Sequence, residues 1–140
     1  MDKYVILFIK TALVSFALGS ALGLEMVIQP YHGHDFLSAH VHLNLLGFMA
    51  MMIYGVGYHV LPRFSGMVIY SRKLMVVHYY LGTITLAVMA LCWIGIQLTP
   101  WTGPLRAGLV LSSVGQLASI GLFAYNIFRS VKSAPQPQEG

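Results

Sequence analysis

Charge is scarce in this chain. Only 9% of its 140 residues are Asp, Glu, Lys or Arg, four acidic against eight basic, where a soluble domain carries about 25%. With 57% hydrophobic residues and a mean hydropathy of +0.73, the chain is too apolar to fold with water on all sides. Cysteine is nearly absent. The single Cys92 excludes a disulfide framework and the Cys-x-x-Cys-His motif that anchors haem covalently. No two histidines stand four apart, which removes the His-x-x-x-His pair that grips zinc from one helical face. No internal repeat with a period of about 20 to 50 residues is evident, so one domain suffices.

What lies between the charges is long and apolar. Each uncharged interval matches the roughly 20 residues that cross a bilayer. The intervals predict an all-α fold, a four-transmembrane-helix bundle over about 4–28, 36–62, 74–98 and 105–129 within one domain, 1–132. Thr99-Pro100-Trp101-Thr102-Gly103-Pro104 forms the turn between the last two helices. The tail 133–140 is Pro/Gln-rich and too short to fold alone, so it is expected to be disordered. The first apolar stretch resembles a signal peptide only superficially, because another span follows it in place of a polar mature domain. It is expected to be retained.

Four crossings put both termini on one side, together with the link between the second and third helices. That side holds Lys3, Lys10, Arg63, Arg72, Lys73, Arg129 and Lys132, and the other holds only Arg106. The positive-inside rule then makes the termini cytoplasmic and the chain a multi-pass protein of the cytoplasmic (inner) membrane. A pI near 9.4 does not indicate nucleic-acid binding, since the basic residues flank the spans and form no continuous stripe. Lipid gives helices no hydrophobic reason to associate, so small residues mark the packing seams. Ser15, Gly19 and Gly23 form one such series, Gly47, Met51 and Gly55 a looser one, and Gly108, Ser112, Gly115 and Ser119 a third. These seams are expected to close a bundle within one chain, or to seat a second protomer or a flat cofactor.

Six histidines in so apolar a chain require an explanation, because polar groups at membrane depth are costly and are usually paired or functional. His32, His34, His40 and His42 cluster on the expected non-cytoplasmic side, while His59 and His78 lie at the opposite end. Imidazole serves iron, copper, zinc and nickel alike. Geometry narrows the choice: a helix advances about 100° per residue, so His40 and His42 project about 200° apart and cannot grip one ion together. They serve two different sites. The plain alternative for each is an interfacial histidine bonded to a neighbouring carbonyl. His32 and His34 flank Gly33 and read as a solvated loop that could also ligate copper or zinc. His59 and His78 are candidates for a second metal site, or His59 for capping the helix end before Pro62.

The series Ala39-His40-Val41-His42-Leu43-Asn44-Leu45-Leu46-Gly47, continued by Gly57-Tyr58-His59 and Pro62-Arg63-Phe64-Ser65-Gly66, resembles the tenth helix of the catalytic subunit of haem-copper oxidases. His34-Asp35 is similar to the His-Asp that precedes that helix. The His42-Leu43-Asn44 step is also similar to a His-x-Asn of the related nitric oxide reductases. The likeness covers about 30 residues, here 34–66.

In that family the first histidine of the pair ligates the high-spin haem and the second the low-spin haem, on opposite faces. The resemblance therefore implies that His40 and His42 are axial ligands of a non-covalent haem b. It implies a protein that transfers electrons or handles a diatomic gas, nitric oxide or dioxygen, and an oxidoreductase if it turns over. A quinol or a cytochrome would be the electron partner. The family's subunit has about twelve helices in three arcs of four, which suggests a homotrimer with haem between protomers. Glu25 is a candidate to hydrogen-bond a ligating histidine, and Arg106 to pair with a haem propionate. This sequence has no adjacent His-His pair and no His-Pro-Glu-x-x-x-Tyr helix, so dioxygen reduction by the family's route is not implied. Two non-catalytic readings stand beside it: a haem-based gas or redox sensor, and a copper- or zinc-binding membrane protein without haem.

Overall fold

The computed structural model of the chain describes residues 1–29 and 35–131. Among them there is no strand. Four helices, each long and apolar enough to cross a membrane, make up the fold: α1 (Lys3–Ile28), α2 (Leu37–Phe64), α3 (Arg72–Leu98) and α4 (Thr102–Ser130). The protein is all-α, as its uncharged intervals require, and its solvent is a lipid bilayer. His32, His34, Lys132 and the tail 133–140 lie outside the described residues.

Short polar side chains set the helix starts. Asp2 caps α1 by accepting the Tyr4 N–H at 2.8 Å, and Ser71 caps α3 by accepting that of Leu74 at 3.2 Å. Each satisfies a donor that a helix start otherwise leaves unbonded. Asp35 accepts the Leu37 N–H at 2.9 Å as α2 begins. Past its last residue, Phe64, the chain turns at Gly66, whose φ of 64° lies in the left-handed region that glycine enters without steric cost. α4 begins at Thr102, earlier than the expected 105. Gly103 and Pro104 fall in its first turn, where a proline's missing N–H has no helical partner to lose.

α2 is continuous but not uniform. Its middle, Leu43–Ala50, is π-helical, with N–H groups bonding five residues back. The buried residues Leu43, Gly47 and Met51 recur at intervals of four, which in an α-helix would drift about 40° per step. The wider π turn takes up that drift and keeps all three on one face.

α1 lies along α2, burying Val5, Phe8, Ala12, Ser15 and Gly19, alternately three and four apart as one helical face demands. The first small-residue seam packs within the chain. A methyl on Gly47 would stand 2.5 Å from Ser15 Cβ, and one on Gly19 2.5 Å from Asn44 Nδ2, so these backbones meet at a spacing that a Cβ would forbid. α3 and α4 form the other close pair. α2 touches all three of its neighbours, whereas α1 and α4 do not meet. The four axes therefore outline an offset parallelogram, with α2 and α3 across its short diagonal and α1 and α4 at the far corners.

The third seam belongs to the α3–α4 pair, where Gly108 abuts Cys92 and Gly115 abuts Thr85. α4 buries only polar residues: Ser112, Gln116, Ser119, Asn126 and Ser130. Its apolar residues, among them Leu111, Val114, Leu117 and Phe128, are exposed and face lipid. This inversion suits a solvent as apolar as leucine, in which packing and interhelical hydrogen bonds drive association. Asn126 also clamps the α2–α3 link, accepting the Ser71 N–H at 3.0 Å and donating to the Ser71 carbonyl at 2.9 Å. Ser130 Oγ accepts the Tyr70 N–H at 2.8 Å.

Candidate functional site

His40 and His42 stand on the first turn and a half of α2, at the end of the bundle remote from Asp2 and Arg72. They point to different neighbours. His40 leans on α1, where a methyl on Gly23 would lie 2.8 Å from its Cε1 and 3.0 Å from its Nδ1. Its Nδ1 lies 2.7 Å from the Gly19 carbonyl. His42 turns towards α3 and stacks on Trp93, with ring centroids 6.1 Å apart and planes at 29°. Its Nδ1 lies 2.7 Å from the Ser38 carbonyl, one turn back on its own helix. The two rings occupy different sites, as their spacing requires.

A carbonyl oxygen only accepts, so in both imidazoles Nδ1 carries the hydrogen and donates. Nε2 is then the bare nitrogen, and neither Nε2 has a hydrogen-bond partner among the described residues. That tautomer suits metal ligation: a coordinating histidine typically donates its other ring N–H to a carbonyl or carboxylate, which fixes the ring and raises its basicity. Both rings are half-buried, and the His40 ring fills the place that a side chain at Gly23 would take. Asn44 supports this end by donating to the His40 carbonyl at 2.9 Å.

The structure separates the remaining candidates. The Glu25 carboxylate bonds neither histidine, because main-chain carbonyls already hold both Nδ1 atoms. Arg106 lines a cleft with Trp93, Ile96, Leu109 and Val110, so it shares a wall with the ring that stacks on His42. His59 accepts from Arg63, one turn along α2. His78 is fully buried, with Nδ1 3.0 Å from Tyr58 Oη. His59 and His78 therefore do not converge. Among the described residues no three of His, Cys, Asp and Glu form a group that would hold a metal ion, and a copper or zinc centre finds no such cluster there.

Sequence reasoning missed two parts of this site. One is Trp93, whose local sequence announces no partner on α2. The Gly19 carbonyl is a main-chain group whose role depends on the register of α1. The Ser38–His42 bond, by contrast, was legible, since the two residues stand one turn apart on the same helix.

Residues 3–132, spanning all four helices, match a family described as Cytochrome C and Quinol oxidase polypeptide I. No curated protein matches the chain.

Proposed function

The chain belongs to the cytochrome c and quinol oxidase polypeptide I family, and from that premise we propose that His40 and His42 are axial ligands of non-covalently held haem b. The observation that carries this reading is the pair of Nδ1–H bonds to the Gly19 and Ser38 carbonyls, which leaves two oriented, basic Nε2 atoms. The donor set fits the group, because imidazole is the axial ligand of many electron-transfer haems and of gas-binding ones. Bound haem would supply one-electron chemistry. The protein would supply ligation, orientation and a dry setting.

Within one chain the rings face α1 and α3, so they do not meet on one iron. We therefore place each haem between copies, taking His40 from one protomer and His42 from the next. Three copies in a ring would close a heterologous interface. The shared cleft wall supports Arg106 as partner of a haem propionate, through the charge-assisted pairing that guanidinium offers carboxylates. Glu25 contributes no bond to this arrangement. Two histidine ligands would leave iron no open position for substrate, which favours electron transfer, with a quinol or cytochrome as partner, over gas turnover. The one-sided basic residues support a place in the cytoplasmic membrane with His40 and His42 at the non-cytoplasmic face.

Optical spectroscopy of detergent-purified protein tests the reading. A Soret band with sharp α and β bands on reduction is expected, at one haem per chain. His40→Ala and His42→Ala should each lose most of the bound haem. Unchanged haem content in His42→Ala, or one haem per three chains, would overturn the shared-haem arrangement. A reduced haem that binds carbon monoxide at once would point to the gas or sensor reading. Copper or zinc without a Soret band would replace haem altogether.

A further inference from the structure

The outer face of α2 is hollowed along its second half. A groove of about 390 Å³ runs there, lined by Met52, Ile53, Val56, Gly57, Val60 and Leu61, with no polar side chain among them. Gly57 forms its floor, where Phe123 of α4 comes within 3.0 Å of the place a Cβ would take. From Met52 to Leu61 the helix rises about 14 Å at 1.5 Å per residue, half the roughly 30 Å of a bilayer's hydrocarbon core. The groove therefore has the depth of one leaflet, the one at the bundle end that carries Asp2 and Arg72. That length suits a single acyl chain.

The groove leads to a cation. Arg63 follows Val56 by seven residues, two turns at about 100° per residue, so the two stand within about 20° of one line along the helix. Arg63 is exposed, and its guanidinium meets the His59 ring one turn back. As the acceptor of that contact the imidazole is uncharged, and it occupies few of the five N–H donors that arginine carries. Among the described residues no carboxylate pairs with Arg63. Arg63 and His59 also line a cavity of about 270 Å³ together with Asp2, Tyr58, Met67 and Met75. The Asp2 carboxylate is held by Arg72 at 2.7 Å, so it does not neutralise Arg63.

We propose that this face of α2 binds an anionic phospholipid, with one acyl chain in the groove and the headgroup phosphate on Arg63 and His59. A guanidinium offers a phosphate oxygen pair two parallel charge-assisted N–H bonds, and the neutral imidazole adds its own N–H. The cavity beside them gives the rest of the headgroup room. Each half of the site restrains the other: the groove alone would take the chain of any lipid, and the cation alone would take any anion. A zwitterionic headgroup brings an ammonium to the guanidinium and is disfavoured. The site lies at the end of α2 remote from His40 and His42, so it does not rest on the haem reading.

Native mass spectrometry of the full chain in non-ionic detergent, titrated with dioleoyl phosphatidylglycerol or dioleoyl phosphatidylcholine, tests the proposal. One phosphatidylglycerol should be retained per chain, about tenfold more tightly than phosphatidylcholine, and Arg63→Gln should remove that preference. Lys73→Gln makes the same change of charge at the same end but away from the groove, and should cost less than about fivefold. Val56→Trp fills the groove and should abolish retention with every charge in place. All three side chains are exposed, so the thermal midpoints of the lipid-free variants should match that of the unaltered chain. Equal retention of the two lipids would overturn the proposal, as would equal losses in Arg63→Gln and Lys73→Gln, the mark of general surface attraction. Full retention in Val56→Trp, or displacement of the lipid by an equal concentration of inorganic phosphate, would do the same. His40→Ala should retain the lipid as the unaltered chain does, so failure of this site and failure of the haem reading are distinguishable.

Discussion

Gly23→Ala tests whether α1 holds His40 in place. The added methyl would stand 2.8 Å from His40 Cε1 and 3.0 Å from Nδ1, against an ordinary carbon contact of about 3.5 Å. The ring must shift by several tenths of an ångström or the helices must part. Overpacking of this kind costs about 1–3 kcal/mol. A ring shift also strains the 2.7 Å bond from Nδ1 to the Gly19 carbonyl, worth about 1 kcal/mol net. Against this, alanine is favoured over glycine inside a helix by about 1 kcal/mol. The balance is a loss of about 1–3 kcal/mol in stability, read from detergent-titrated unfolding. Under the proposed function, haem affinity should also fall about 10–100-fold, the usual effect of disturbing a ligand's supporting bond. Gly121→Ala is the control, because nothing lies within 4 Å of a Cβ there; it should be neutral or stabilising by about 1 kcal/mol. If Gly23→Ala behaved like Gly121→Ala in both stability and haem titration, Gly23 would not be a seat for His40.

Two further predictions concern the opposite end. Asn126→Ala removes both hydrogen bonds to Ser71 and should destabilise the chain by about 2–4 kcal/mol, seen as a lower unfolding midpoint, with Asn126→Asp intermediate because it keeps the acceptor. Asp2 lies 2.7 Å from Arg72. Its partial burial works against ionisation, but the hydrogen bonds from Arg72 and the Tyr4 N–H and the charges of Arg72 and the chain's amine hold its carboxyl below the usual value of 3.8. A depressed folded-state pKa contributes stability that is complete above the unfolded value and is lost as pH falls through the folded one. The contribution should therefore be constant at neutral pH and disappear only below about pH 4, and Asp2→Asn should abolish that acid step and lower the neutral-pH midpoint by the same amount, a small one because Arg72 is largely exposed.

How much the sequence reveals differs by level. The four spans are legible because charges interrupt them, and helix starts are legible where Asp2 or Ser71 precedes an apolar run. Helix faces are not. Ser112, Gln116, Ser119, Asn126 and Ser130 have the spacing of a buried stripe, yet a rule learned in water would turn polar residues outward, and in lipid the rule inverts. The π-helical middle of α2 leaves only an indirect trace, the interval of four between Leu43, Gly47 and Met51. The divergence of His40 and His42 follows from 100° per residue alone. Their partners do not follow equally: Ser38 is local to His42, while the Gly19 carbonyl reaches His40 only once α1 has settled in register.

That difference allows the two histidines to be perturbed separately. His40 depends on a carbonyl of another helix and on the space at Gly23. His42 depends on its own helix and on Trp93. Gly23→Ala should thus disturb the His40 side alone, and Trp93→Leu the His42 side alone, through loss of ring stacking worth about 0.5–1.5 kcal/mol. If each histidine held its own iron, the two changes would act on different haems and their effects on affinity would add, as they do for independent sites. If one haem lies between protomers, both changes weaken the same site, and the double variant should depart from additivity by about 0.5–3 kcal/mol. Haem titration of the two single variants and the double variant completes that cycle. Strict additivity, with two separable haem populations, would rule out the shared haem while leaving both histidines as ligands.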